Sequence, residues 1–145
     1  MYRDTITLFN FCEGTGLWYP SVFSGADLGV NTSSDNTTTG KTGNDTAALL
    51  LHCTRDKLFT TADGVQKPYI NPKEYAACED PAAYITFKPE CDFFYKGVWA
   101  GTEELRDENY EAGLYHAMHE KYDGVYMVNT VAFFDLLPHA EIGGR

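Results

Sequence analysis

Residues 5–23 read TITLFNFCEGTGLWYPSVF. In both halves of this stretch, β-branched and aromatic residues nearly alternate with other residue types, which is typical of β-strands. Gly14 and Gly16 separate the halves and predict a turn. Pro20 lacks a backbone N–H, so we expect it at a strand edge or a bulge. The stretch therefore predicts a β-hairpin at the start of the fold.

Further strands follow this hairpin along the chain. Apolar runs rich in β-branched and aromatic residues predict them at residues 46–54, 84–89, 91–100 and 125–134. Short strands with glycine-rich turns favour a mainly β fold, a small antiparallel β-barrel or sandwich. We expect one domain over residues 1–145, because chains of this length rarely divide.

The spacing of apolar residues becomes helical after Thr102. Thr102 is a suitable N-cap, and Leu114, Met118 and Tyr122 then recur at the spacing of one helix face. Gly124 predicts the end of the helix. We therefore predict one helix in the C-terminal third of the chain.

The charge balance narrows the possible partners. A net charge of −10 argues against a surface that grips nucleic acid. An acidic wall would nevertheless let a DNA duplex slide past without holding it. No apolar run approaches membrane length, and the opening MYRDTITLF lacks a signal-peptide core. We expect a protein made in the cytosol, with no membrane partner.

The four cysteines form no C-x-x-C pair, so zinc-ribbon and thioredoxin-like sites have no support. Two disulfides would be possible in a secreted chain. We favour free, buried thiols at Cys12, Cys53, Cys78 and Cys91.

Residues 31–46 are almost entirely Asn, Thr, Ser, Asp and Gly and predict a long mobile surface loop. The loop contains the tripeptide GKT, but Asp35 occupies the first glycine position of a phosphate-binding loop, and a β-like run follows where a helix should begin. We therefore predict no nucleotide site. The N-x-[ST] triplets at Asn31, Asn36 and Asn44 are expected from composition alone.

His116 and His119 form an H-x-x-H pair on the predicted helix and are the weak candidates for metal ligands. His139 is the only remote candidate for a third ligand. We expect exposed histidines, and no metal or cofactor.

No catalytic constellation is apparent. Cys53 with His52, or Cys12 with His119, could form a nucleophile and base. Adjacent strand residues point to opposite faces, however, so His52 cannot easily serve Cys53. We predict that the protein is not an enzyme.

Two long segments resemble a known family. They are KPYINPKEYAACEDPAAYITFKPECDFFYKG (67–97) and YDGVYMVNTVAFFDLLPHAEIGGR (122–145). Together with DTITLFN and WYPSV near the start, they are similar to small bacteriophage and prophage proteins of the neck, the head-completion or stopper-type head–tail connectors. This sequence has Cys91-Asp92 where the family has a Gly-Asp turn, and Ala140 where it has a tryptophan in the tail.

The resemblance implies a structural virion protein, assembled in the cytoplasm of a bacterial host. Such proteins form homo-oligomeric rings between the portal or its adaptor above and a tail terminator or tail-tube protein below. Genomic DNA would pass through the ring without sequence-specific binding, and the ring would line or close that channel.

Within this hypothesis, two segments are the expected contact elements. They are the loop 31–46 and a C-terminal docking tail, residues 136–145. The residues that we expect to make contacts are Asn31, Asp35, Gly40, Lys41, Thr42 and Asn44 in the loop, and Leu137, His139, Ile142 and Arg145 in the tail.

Two alternatives stay open. One is another virion part: a tail terminator, a minor head protein or a tail structural protein. The other is a small carbohydrate- or ligand-binding β module, with Trp18, Trp99 and tyrosines as an exposed platform.

Overall fold

The structure is a computed structural model that describes residues 3–31 and 46–145. The strands are β1 (Asp4–Cys12), β2 (Leu17–Asn31), β3 (Thr46–His52), β4 (Leu58–Thr60), β5 (Gln66–Pro68), β6 (Phe93–Lys96), β7 (Leu105–Arg106), β8 (Val125–Phe134) and β9 (His139–Gly144). The helices are α1 (Pro72–Ala76) and α2 (Leu114–Lys121).

Six of these strands form a closed antiparallel barrel. Their order is β1–β6–β8–β9–β3–β2, and β2 pairs back to β1. The short strand β7 extends the sheet beside β2, while β4 and β5 form a separate hairpin. The prediction of a mainly β fold of the barrel type is confirmed.

The opening hairpin is as predicted, with Cys12 opposite Leu17 and Phe9 opposite Pro20. The carbonyl of Val22 accepts a hydrogen bond from the N–H of Ala62 (2.8 Å), on the side away from β1. Residues two apart on a strand point the same way, so the missing N–H of Pro20 also faces away from β1. Proline therefore removes no bond from the β1–β2 ladder.

A bend in β2 lets it pair with two different strands. Between its pairs with Asp4 and Ile6, β2 has one more residue than β1, and Gly25 there has a φ of 66°. The Asp4 carboxylate accepts a hydrogen bond from the N–H of Leu28 (2.9 Å), which fixes the bend. The first half of β2 then pairs with β1 and the second half with β3.

The C-terminal segment is not a tail, which corrects the prediction for residues 136–145. Residues His139–Gly144 are β9, hydrogen-bonded to β3 on one side and to β8 on the other. Ala140 and Ile142 point into the core and are fully buried. The short alternating sequence HAEIGG forms a strand because both neighbours pair with it. Ala140 lies where the phage proteins that the sequence resembles have a tryptophan. Its side chain is buried inside the barrel.

The long helix predicted from Thr102 is also wrong in its first part. Leu105 and Arg106 pair with the start of β2 instead. Ala112 and Gly113 have positive φ angles of 62° and 93°, so no helix can run through them. The helix begins at Leu114, and its buried residues, Leu114 and Met118, follow the predicted spacing.

The predicted strand at residues 84–89 is extended but almost unpaired. Only Ile85 forms a bridge, to Tyr69. The carbonyl of Thr86 accepts its bond from the side-chain amide of Asn10, so a side chain replaces a ladder partner here. Before this segment, residues Pro72–Ala76 form α1, which Asn71 caps by accepting from the N–H of Glu74 (2.9 Å).

Both faces of β1 are buried. Ile6 and Leu8 lie in the barrel core, together with residues such as Leu49, Phe94 and Ile142. Phe9 belongs to a second cluster outside the barrel wall, formed by Phe9, Trp18, Phe93, Leu105, Leu114, Met118 and Val125. Phe9 and Phe93 stack with ring centroids 4.7 Å apart. The segment from β7 to α2 therefore covers one side of the barrel.

Two glycines of the barrel predict opposite responses to alanine. A Cβ at Gly144 would lie 2.7 Å from Cζ of the Phe94 ring, whereas a Cβ at Gly29 would meet no atom within 4 Å. Gly144→Ala should lower the free energy of unfolding by about 1–3 kcal/mol because it overpacks the core. Gly29→Ala should raise it by up to about 1 kcal/mol because the unfolded chain loses freedom. Urea denaturation measures both; equal effects would contradict the packing described at β9.

Candidate interaction surface

The two helix histidines lie exposed on α2, as predicted. Nε2 of His116 lies 3.2 Å from Oε1 of Glu120, and the His119 ring packs at 5.5 Å against Tyr115. Within residues 3–31 and 46–145, no group of three or more His, Cys, Asp or Glu side chains is arranged to hold a metal ion. The described chain thus offers no metal centre around the H-x-x-H pair.

The four cysteines are free thiols, but only Cys12 is buried as predicted, whereas Cys53, Cys78 and Cys91 are half-buried. Burial raises the pKa of Cys53, which keeps the thiol protonated and weakly nucleophilic. Cys12 is buried, and its Sγ donates to the carbonyl of Tyr75 at 3.6 Å. These environments are those of structural cysteines.

Among the described residues, the most buried charged group is Asp92, in the turn before β6. One carboxylate oxygen accepts from the N–H of Phe11 (3.0 Å), and the other accepts from Asn10 Nδ2 (3.0 Å) and the N–H of Lys88 (2.9 Å). Burial raises the pKa of Asp92 to about 6, and the three donors limit the rise. The carboxylate is enclosed by protein donors, so it ties β1 to the turn before β6.

The turn at Cys91 does not need a glycine at that position. The residue with a left-handed conformation is Glu90, at a φ of 62°. Cys91 and Asp92 both donate their N–H groups to the carbonyl of Lys88, at 3.2 and 3.0 Å. The turn therefore keeps its hydrogen bonds without glycine at position 91.

We predict that Asp92→Asn lowers the free energy of unfolding by about 1–3 kcal/mol at neutral pH, because one of the three buried donors loses its acceptor. Burial raises the folded pKa above the unfolded value of 3.8. The contribution of the Asp92 carboxyl to the free energy of unfolding is therefore largest below pH 4, and it falls as pH rises through about 6.

The decrease in the free energy of unfolding caused by Asp92→Asn should therefore be larger at pH 4 than at pH 7, as measured by urea denaturation. Asp56→Asn, at an exposed position, is the matched control. A penalty no greater than that of the control would contradict the structural role of Asp92.

The most exposed apolar surface lies at the turn between β8 and β9. We define the tip as residues 134–139, FDLLPH. Leu136 is 85% exposed, Leu137 83% and Phe134 43%. Exposed leucines are common singly, whereas two adjacent ones on one turn form a small apolar patch and a candidate contact site. Leu137 was predicted as a contact residue and Leu136 lies within the predicted tail 136–145, whereas Phe134 and Asp135 were not predicted.

His139 holds the tip in one conformation. Its Nδ1 lies 2.7 Å from the carbonyl oxygen of Leu137, and its Nε2 lies 2.9 Å from Oε2 of Glu141. The ring also stacks on Phe134 with centroids 4.9 Å apart. The Leu137 carbonyl and then the Glu141 carboxylate raise the pKa of His139. The protonated ring can donate to both oxygens at once, so it bridges the turn.

We predict that the tip is stabilised at low pH. The pKa of His139 in the folded protein lies above 6.5. Its contribution to the free energy of unfolding is therefore greatest below pH 6.5 and is lost as pH rises through the folded pKa. Titration of the His139 ring by NMR should give a pKa above 6.5. Glu141→Gln should lower that pKa only partly, since the Leu137 carbonyl remains. A pKa at or below 6.5 in the unaltered protein would contradict this bridge.

The other predicted contact residues are separated by the fold. Asn31 ends β2 and pairs with Thr46 of β3, while Asp35, Gly40, Lys41, Thr42 and Asn44 lie outside the described residues. Ile142 is buried inside the barrel, so the prediction that it makes contacts is wrong. The guanidinium of Arg145 lies 2.6 Å from the carboxylate of Glu90, which holds the end of the chain beside β8.

The tryptophans do not form the exposed platform expected of a carbohydrate module. Trp18 is only 6% exposed, and its Nε1 donates to the Asp107 carboxylate (2.8 Å). Trp99 is half-buried, with its ring edge-on to Phe9 at 5.7 Å. Both rings are therefore packing residues of the outer cluster.

Comparison of the chain with protein-family models, with curated proteins and with solved structures found no significant match. Among the described helices, none is long and apolar enough to cross a membrane.

Proposed function

We propose that this protein is a structural virion protein of the bacteriophage neck. Identical copies form a ring between the portal or its adaptor and the tail, and the ring lines or closes the channel through which the genome passes. The observation that carries this proposal is the tip, where two adjacent leucines are exposed on the turn that joins β8 to β9. Its leucines are exposed in a single copy and would be covered in an assembly.

Three further features of the described chain support this proposal. Asp92 and Cys12 are buried and are hydrogen-bonded within the protein, as structural groups are. The net charge of −10 suits a wall past which DNA slides, because it repels phosphate. Most of the aromatic residues of the described chain lie in or against two packed clusters, one inside the barrel and one outside its wall.

The alternative within the same class is a tail terminator, a minor head protein or another tail part. Its ring would be built from the same contacts, so the partner decides between the two. Binding to purified portal or adaptor supports the neck, and binding to the tail tube alone supports a tail terminator. The buried state of Trp18 weighs against the carbohydrate-binding alternative.

The test of self-association uses the tip. We expect the purified protein, alone or with portal, to give annular particles in negative-stain microscopy. Leu136→Ser with Leu137→Ser should leave the thermal unfolding temperature nearly unchanged, because both side chains are already in water. The same change should abolish the annular particles.

Val30→Ser is the control, since Val30 is an apolar side chain 39% exposed outside the tip. It should leave assembly intact. Monomers of the unaltered protein at every concentration, both alone and with portal, would contradict the proposal.

A further inference from the structure

A groove between the first half of β2 and the β4–β5 hairpin contains a serine and a lysine in hydrogen-bond contact. The groove has a volume of about 480 Å³, and its lining includes Ser21, Asp63, Val65, Lys67 and Val98. Nζ of Lys67 lies 2.8 Å from Oγ of Ser21. The two residues are 46 positions apart in the sequence, so only the fold brings them together.

Ser21 occupies a fixed position on a paired strand. It lies opposite Leu8 of β1, is only 3% exposed, and is reached through the groove that it lines. A side chain on a strand is positioned more precisely than one on a loop. A serine hydroxyl is a weak nucleophile unless an adjacent base takes its proton. Lys67 of β5 is the side chain in position to do so.

The surroundings of Lys67 favour the neutral amine that a base requires. Burial is the largest influence and lowers the pKa of Lys67, and the carboxylates of Asp63 and Asp80 oppose this effect without cancelling it. Among the described residues, no carboxylate oxygen lies within 4 Å of this Nζ, in contrast to Lys88, which pairs with Glu13 at 2.9 Å. A neutral amine can accept the proton of a hydroxyl, whereas an ammonium can only donate.

A backbone donor lies directly after the serine. The carbonyl of Val22 accepts a hydrogen bond from the N–H of Ala62, on the side away from β1. The N–H and C=O of one residue in an antiparallel strand point to the same side. The Val22 N–H therefore points toward the groove, whose lining includes both residues. A donor at this position can stabilise the negative oxygen that forms when the serine attacks a carbonyl carbon.

We propose that Ser21 and Lys67 form a catalytic dyad that hydrolyses esters or amides of apolar acyl groups. The bond from Oγ to the carbonyl carbon forms as the hydroxyl proton moves to Nζ. That proton then passes to the leaving alkoxide or amine as its bond to the carbonyl carbon breaks. Water next attacks the acyl-serine and gives a proton to Nζ, and the carboxylic acid leaves as this proton returns to Oγ.

The rim of the groove indicates the acyl group. Val65 and Val98 line the groove and are 49% and 61% exposed. An apolar chain beside the scissile carbonyl would remove both valines from water. The carboxylate of Asp63 also lines the groove and disfavours an anionic substrate. We therefore expect neutral substrates with an apolar acyl chain.

This activity goes beyond the proposed function and does not depend on it. Both members of the dyad belong to one chain, so catalysis requires no ring. If the dyad acts as we propose, the prediction that the protein is not an enzyme is wrong, whereas the proposal of a neck ring is unaffected.

Covalent labelling tests the nucleophile. A fluorophosphonate reacts with an activated serine with loss of fluoride, and mass spectrometry locates the adduct. We expect the adduct on Ser21 of the full chain. Ser21→Ala should abolish it, and Lys67→Met should slow its formation at least about 100-fold because the general base is lost. Ser24→Ala and Lys73→Met, both at exposed positions, are the matched controls and should leave the rate unchanged.

The pH dependence of labelling tests the base. The rate should rise with pH and level off above the pKa of Lys67, with a midpoint below the 10.5 of an ordinary lysine. Because Asp63 raises this pKa, Asp63→Asn should move the midpoint to lower pH and speed labelling at neutral pH. A hydrogen bond of merely structural importance between Lys67 and Ser21 would give no such shift.

Hydrolysis of p-nitrophenyl esters tests the acyl preference. The protein should cleave the hexanoate with a higher kcat/KM than the acetate. Val98→Ser changes a side chain already largely in water, so the thermal unfolding temperature should stay the same. The ratio of the two kcat/KM values should nevertheless fall at least about threefold, because the acyl chain loses an apolar contact. Equal values for the two esters in the unaltered protein would overturn the acyl preference.

The outcomes separate the dyad from the ring. A folded protein that gives no adduct on Ser21 at any pH, or an adduct on other residues only, overturns the dyad and leaves the ring proposal standing. Labelling of folded Lys67→Met at the original rate overturns the role of Lys67 as base. Monomers at every concentration, alone and with portal, contradict the ring but have no bearing on labelling of Ser21.

Discussion

The insertion of β9 between β3 and β8 is the constraint on which the rest of the structure depends. Without β9, both neighbours would present unpaired edges, and the sheet could not close. Ala140 and Ile142 then lie in the core, and Gly144 lets the Phe94 ring approach the backbone closely. The end of the chain therefore completes the barrel rather than extending from it.

The closure of the barrel also determines where the tip lies. Because β8 and β9 are joined by a four-residue turn at the rim, Leu136 and Leu137 must project away from the barrel. The bend at Gly25 divides β2 between two partners and leaves its first half beside the β4–β5 hairpin. A packed barrel that displays apolar groups at one turn is the kind of subunit that the proposed assembly requires, and the hydrogen bonds of Asp92 tie β1 to the turn before β6.

Sequence reasoning found the elements whose pattern is local. The opening hairpin and the strand at 125–134 show clear alternation, and the structure has both. The start of the helix was missed because Thr102 resembles an N-cap, whereas the pairing of Leu105 with Trp18 is a tertiary contact. The last strand was missed because only Ala140 and Ile142 mark its buried face. Two adjacent leucines were visible in the sequence, but their exposure depends on the barrel.

Hydrogen–deuterium exchange of the native protein tests the central claim most directly. If β9 closes the barrel, the paired amides of residues 140–143 should exchange as slowly as those of β1, and the turn amides of residues 135–137 should exchange within seconds. Amides of β9 that exchange as fast as the turn amides would show that the C-terminal segment is a tail, which would contradict both the closed barrel and the position of the tip.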